Sequence, residues 1–244
     1  MANSGASNAN RRRRRLPLEL QCEVFSALPF QHGQRMLLLS HPIATTCVAL
    51  VRKQKQKFQN RWDPTACRGD LTPIEPERLA IQYSGNRIAW RCILAERPIP
   101  NNGIFYYELN IIRTHWWQAV GLAPKPKQLH RFSANSEGTY AYCSNGRLAF
   151  FLRHPHEGSE RWRGKPSFGV GDVVGCGINL ATRQIIYTKN GERLDTINLF
   201  VPDSGDDLFP FVILSHRGDK VKANFGPNFK FNIVGVINQF YGIF

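Results

Sequence analysis

The chain reads as mainly β, an antiparallel two-sheet sandwich preceded by a small helical module, and three observations predict this. Residues 169–194, GVGDVVGCGINLATRQIIYTKNGERL, run strand, turn, strand, turn and end at Asn190-Gly191. That pair tolerates the positive φ a type I′ hairpin needs at both central positions. Residues 104–112 alternate strictly: Phe105, Tyr107, Leu109 and Ile111 share one face and Tyr106, Glu108, Asn110 and Ile112 the other, the period of a pleated strand. Finally, from Leu79 to about Ile233 short apolar runs are punctuated by Gly, Pro and Asn with no helical period among them, which is the pattern of a sandwich.

The opening 15 residues, MANSGASNANRRRRR, are polar and basic. They read as a disordered tail, with the Arg run open to nuclear import or nucleic-acid contact. They lack the apolar centre of a secretory signal. No later apolar run approaches the roughly 18 residues that would span a bilayer, so a cytoplasmic or nuclear location is expected. The net charge is +14, of which five charges sit in the run 11–15, leaving +9 for the rest. A basic surface of that size attracts acidic partners or phosphate in a salt-sensitive way.

Residues 16–58 form the helical module. Leu20, Val24, Phe25 and Leu28 fall on one helical face, Pro17 suits a first turn and Pro29 stops the helix. Further apolar clusters at Met36 to Leu39 and at Val48, Leu50 and Val51 predict two more short helices. Residues 59–84, polar and then rich in Pro, Thr and Asp, read as a linker and lead-in, with Trp62 as an anchor. The sandwich is expected over 85–233 and a tail over 234–244.

Within the sandwich, strands are predicted at 88–94, 104–112, from His115 through Leu122, at 139–143, 147–152, 207–214 and 220–225, with a second hairpin at Asn145-Gly146. Gly175 and Gly177 alternate with larger residues inside their strand, which predicts a backbone or bulky side chain packed closely over them. The six cysteines, Cys22, Cys47, Cys67, Cys92, Cys143 and Cys176, show no CxxC pair and no compact Cys/His cluster. Neither a zinc site nor a disulfide framework is indicated, and core packing accounts for them.

Seven segments then occur in order: Ile104 to Glu108, Val120 to Leu122, Thr139 to Tyr142, Gly171 to Cys176, Tyr187 to Gly191, Leu208 to Pro210 and Ala223 to Gly226. Together they resemble the SPRY domain, in the version found in Ran-binding-protein-M-like proteins and in the SPRY effectors secreted by plant-parasitic nematodes. The resemblance covers roughly 85–233. It implies a bent sandwich that recognises proteins, with no catalytic residues and no cofactor. The effectors carry a secretory signal that this sequence lacks, so it is either a cytoplasmic relative or one whose signal was removed upstream. Leu16, Pro17, Leu20, Val24, Phe25 and Leu28, with the later Leu39-Ser40 pair, resemble the F-box pattern, which implies docking on the Skp adaptor of a cullin-type ubiquitin ligase. A helical extension folded as a cap is the alternative for this module.

The SPRY resemblance implies a partner held by loops at one rim. Candidate contacts are Arg87, Trp116, Lys125, Lys127, His130, Arg131, Phe132, Arg153, His154, Ser215, His216 and Arg217; Arg and aromatic side chains are the usual anchors of such contacts. Trp117, Tyr140 and Tyr142 are expected to face the core. His154, His156 and Glu157 lie in one loop without the rigid scaffold catalysis needs, and GVGDVVG does not precede a helix, so it is no dinucleotide fingerprint. The function expected is a protein-interaction subunit: an F-box/SPRY recruiter for a ubiquitin ligase, a SPRY scaffold or effector binding a host protein, or, last, a nucleic-acid binder.

Overall fold

The structure is a computed structural model and describes residues 60–67, 70–126, 136–150, 161–162, 164–196, 199–202 and 205–233. The chain divides into two units, Met1–Gln59 and Asn60–Phe244, and every described residue belongs to the second. The segment 16–58, expected as a helical module with Leu16, Pro17, Leu20, Val24, Phe25 and Leu28, lies outside the described residues.

Fourteen strands run in order: β1 (Trp62–Cys67), β2 (Leu71–Ile74), β3 (Ala80–Tyr83), β4 (Arg91–Ala95), β5 (Ile104–Arg113), β6 (Ala119–Pro124), β7 (Tyr140–Cys143), β8 (Leu148–Phe150), β9 (Arg161–Trp162), β10 (Val173–Asn179), β11 (Gln184–Lys189), β12 (Glu192–Arg193), β13 (Leu208–Leu214) and β14 (Lys220–Asn224). They form two seven-stranded sheets, β1-β4-β13-β6-β7-β8-β9 and β12-β11-β10-β5-β14-β3-β2, antiparallel at every named pairing.

The main core lies between the sheets. Tyr107, Leu109 and Ile111 of β5 meet Val120 and Leu122 of β6, Tyr140 and Tyr142 of β7 and Val212 of β13, so the alternation read in β5 sorts its side chains as expected. The opposite face of β5 carries Tyr106, which packs with Ile186 and Phe231. Gly175 is what lets it do so: a Cβ there would stand 1.9 Å from the Tyr106 hydroxyl oxygen. That hydroxyl lies 2.7 Å from Thr188 Oγ1 and donates to Glu108. The buried Glu108 carboxylate also accepts the backbone N–H groups of Lys230 and Phe231, each at 2.9 Å, which fastens the C-terminal segment over the second sheet.

Two turns differ in kind. At Asn190-Gly191 both residues have positive φ, 53° and 89°, the type I′ signature. At Asn145-Gly146 only Gly146 does, at 79°. There Gly146 donates to Cys143, and Cys143 in turn to Arg147, so Ser144, Asn145 and Gly146 make a three-residue loop closed by a left-handed glycine.

The stretch 59–84, expected as a linker, contributes β1, β2 and β3. Trp62 is fully buried, donates its indole N–H to the Leu79 carbonyl and packs edge-on against Phe225. Its Pro and Asp residues concealed the strands because β1 and β2 end their respective sheets, where one side of the backbone needs no partner and proline is tolerated. The sandwich therefore begins near residue 60 rather than 85. Tyr140 and Tyr142 are buried as expected, and Trp117 is half-buried against a second apolar cluster formed by Cys92, Leu94, Ala119, Phe211 and neighbours. Among the described residues no helix is long and apolar enough to cross a membrane and no group of three metal-ligating side chains converges.

Candidate functional site

Strand register decides which loops meet. Ile213 pairs with Ala119, Leu214 with Arg91 and Lys220 with Arg113, so residues 84–90, 114–118 and 215–219 gather at one end of the sandwich. Leu208 pairs with Pro124 and Tyr140 with Phe150, so the chain leaves β6 and β8 at the other end. The two ends are separated by the length of β6, about 20 Å at strand rise. The expected contact residues thus divide. Arg87, Trp116, His216 and Arg217 stand together at the first rim. Lys125 is exposed at the opposite rim, its ammonium 6.0 Å from the Phe209 ring centroid. Lys127, His130, Arg131, Phe132, Arg153 and His154 lie outside the described residues.

The first rim is built on Asp219. This carboxylate is fully buried at the start of β14, where four N–H groups converge on it. Oδ1 accepts the backbone N–H of His115 and its ring Nδ1, both at 2.9 Å, and Oδ2 accepts the backbone N–H of Ser215 at 3.2 Å and of His216 at 2.9 Å. An ionised carboxylate only accepts, so the proton of His115 sits on Nδ1. One side chain thereby ties the loop after β5 to the loop after β13.

Further joints come from backbone and side-chain bonds. Ala89 donates to the Ser215 carbonyl and Gly218 to that of Tyr83, while the Tyr83 hydroxyl donates to the Arg87 carbonyl at 2.7 Å. Burial, and then the charge of Asp70, pushes that hydroxyl above its ordinary range, which keeps it a donor. Arg217 reaches across to Asn86 at 2.9 Å. Ser215, expected as a contact, is instead fully buried. Its hydroxyl donates to the Trp117 carbonyl at 2.7 Å and lies 2.9 Å from His216 Nδ1, so it braces the rim and presents nothing to a partner.

On this frame sit side chains that the core does not need. Ile88 is 70% exposed, Trp116 63% and Trp90 50%. Trp90 leans on Trp117 at 5.3 Å, and Trp116 meets His216 edge-on at 5.8 Å, with His115 stacked beyond at 6.3 Å. Large apolar groups held in water on hydrogen-bonded loops are the kind of surface that protein contacts use. Of these rim residues the sequence reading names Trp116 as a candidate contact and does not name Ile88, Trp90, His115 or Asp219. The sequence pattern places Ile88 and Trp90 in a strand that in fact starts at Arg91, and the one sequence cue for Asp219 is an acid directly after a turn glycine.

The opposite rim holds a cleft of about 240 Å³ whose walls include Ile99, Ile178, Leu180, Arg183 and Asp207. The Arg183 guanidinium there is engaged with the carbonyls of Val201 and Pro202.

Residues 104–228 match the family described as SPRY domain. The chain is similar to Ran-binding protein 9 of Mus musculus, 27% identical over 226 residues that cover 85% of this chain and 32% of that protein. It is also similar to Ran-binding protein 9 of Xenopus laevis, 32% identical over 151 residues covering 60% of this chain and 26% of that protein. The chain spans about a third or less of the length of these relatives. Among solved structures, one described as a human SPRY domain aligns with a TM-score of 0.52 at 27% identity, over 65% of this chain and 99% of that one. The SPRY domain of human HERC1 aligns at 0.54 and 20% identity, over 69% and 99%, a likeness of fold.

Proposed function

The chain belongs to the SPRY domain family, and from that premise we propose that it works by holding a segment of another protein against the rim made by residues 84–90, 114–118 and 215–219. The observation that carries this is the fixing of two of those loops by Asp219 beneath solvent-facing Trp90, Trp116 and Ile88. A binding surface gains most when its anchors are aromatic and its backbone needs no ordering on contact. The role is that of a scaffold or recruiter, with any bond-making left to the proteins it gathers.

The test is site-specific crosslinking. A photoreactive residue replacing Trp116 in the full chain is expected to yield protein adducts in an extract of the source organism, and one replacing Lys125 to yield few. Adducts confined to position 125 would move the site to the other rim.

A ubiquitin-ligase recruiter is the finer form of this reading. It is supported by the F-box-like run Leu16, Pro17, Leu20, Val24, Phe25 and Leu28 and proposes a Skp-type adaptor as a second partner. Pull-down with purified adaptor should recover the intact chain and lose the Leu16→Ala, Pro17→Ala variant. Equal recovery of both would end it.

A further inference from the structure

The rim has an uneven charge. Residues 84–91, 113–118 and 215–220 contain Arg87, Arg91, Arg113, Arg217 and Lys220 against a single carboxylate, Asp219. Asp219 is fully buried, with both oxygens occupied by N–H groups of the loops it joins, so its oxygens are closed to a partner and its one charge leaves the rim's cations in excess. Arg91 is taken up by Asp70 at 2.5 Å, and Arg217 is bonded to the neutral Asn86. For Arg87, Arg113 and Lys220 there is no ion-pair partner among the described residues.

Two of these cations are placed against each other. Arg113 and Lys220 are register partners across β5 and β14, at a point where the register shifts before Val221, and two cations brought together on neighbouring strands repel. Arg113 is exposed. Gly218 stands beside it with φ at 86°, and a Cβ there would lie 3.4 Å from both Arg113 Nη1 and His115 Cε1. The same corner of the rim carries His115, His216 and Trp116, with Ile88, Arg87 and Trp90 on the loop bonded to residue 215. A like-charged pair with no ion-pair partner among the described residues, next to solvent-facing apolar anchors, is complementary to a ligand that brings both negative charge and an apolar side chain.

We infer that the segment held at this rim is an acidic peptide, one that sets Asp or Glu carboxylates against Arg113, Lys220 and Arg87 and an aliphatic or aromatic residue against Ile88, Trp90 and Trp116. This rests on the rim being the recognition site. A nucleic-acid strand would satisfy the cations but would leave Ile88 without an apolar partner, since stacking platforms for bases are aromatic.

The experiment is selection of a random dodecapeptide library on the full chain, followed by affinity measurement of the enriched peptides. Enriched sequences are expected to carry net negative charge and at least one large apolar residue. Arg113→Gln with Lys220→Gln should weaken them about tenfold and flatten their salt dependence, with thermal stability equal to or above that of the parent chain. Trp116→Ala should weaken them independently of salt. An enriched pool that is neutral or basic, yet lost on Trp116→Ala, overturns the acidic assignment while leaving the rim as the site. A pool indifferent to Trp116→Ala removes the rim itself. Failure to enrich any sequence, or a single-stranded oligonucleotide that binds more tightly than the best peptide, also overturns the inference.

Discussion

Asp219 and His115 are joined at two points, since one carboxylate oxygen accepts both the backbone N–H and the ring Nδ1–H of the same histidine at 2.9 Å. The other oxygen serves Ser215 and His216, so the rim depends on a group with no solvent exposure. Asp219→Ala would strand these N–H groups, and the expected loss is about 3 kcal/mol of unfolding free energy. Asp219→Asn should also destabilise, because its NH2 must face a backbone donor on one side. Chemical denaturation of the variants checks both.

Two close-packed glycines should rank by what stands over them. A Cβ at Gly121 would fall 1.8 Å from the Tyr140 backbone carbonyl oxygen, whereas at Gly175 it would meet side-chain hydroxyls of Tyr106 and Thr188 at 1.9 and 2.4 Å. Gly175→Ala is expected to cost about 2–3 kcal/mol, and Gly121→Ala more, since a sheet backbone cannot swing aside. Thermal melts of the two variants that came out in the reverse order would contradict this.

Acid should unfold the chain partly through Glu96 and Asp172. Burial works to raise both carboxyls, but at Glu96 the ion pairs with Arg61 at 2.7 Å and Arg78 at 2.6 Å outweigh it. At Asp172 the bonds from Asn190, the Gly169 N–H and Lys189 do the same. Both groups are held below their ordinary range when folded, so the unfolded chain binds protons first. Their contribution is complete above the unfolded value, about pH 4, and is lost as pH falls through the folded value. Glu96→Gln should lower stability at pH 7 and flatten the acid limb of the stability–pH curve. A limb of unchanged slope would exclude Glu96 as a contributor.

Cys92, Cys143 and Cys176 are buried thiols. Burial pushes the Cys143 thiol up to about 12, the nearby Arg147 only partly offsetting it, and raises Cys176 further. At pH 8 almost none of either is thiolate, the reactive form. Alkylation followed by site-resolved mass spectrometry should leave all three unlabelled until denaturant is added.

Much of this architecture could be read from residue order alone. The alternation in β5 sorted Tyr106 from Tyr107, and the glycines of β10 marked where Tyr106 lies over the sheet. What escaped were features set by partners distant in sequence. β1 to β3 sit at the outer parts of their sheets, where Pro and polar residues are tolerated and periodicity fades. The division of the expected contacts between two rims follows from β13 lying between β4 and β6, an order that no local pattern encodes. Ser215 reads as a loop residue and is one; that its hydroxyl turns inward to Trp117 depends on a loop nearly a hundred positions earlier.

The four bonds on Asp219 have a thermodynamic corollary for recognition. Since these two loops are already locked before anything arrives, association would forfeit little conformational freedom there, and ligands of the wrong outline would be rejected by shape instead of being accommodated. Selectivity at such a jaw is altered by exchanging Ile88, Trp90 or Trp116 themselves, with the hinge beneath them left as it is.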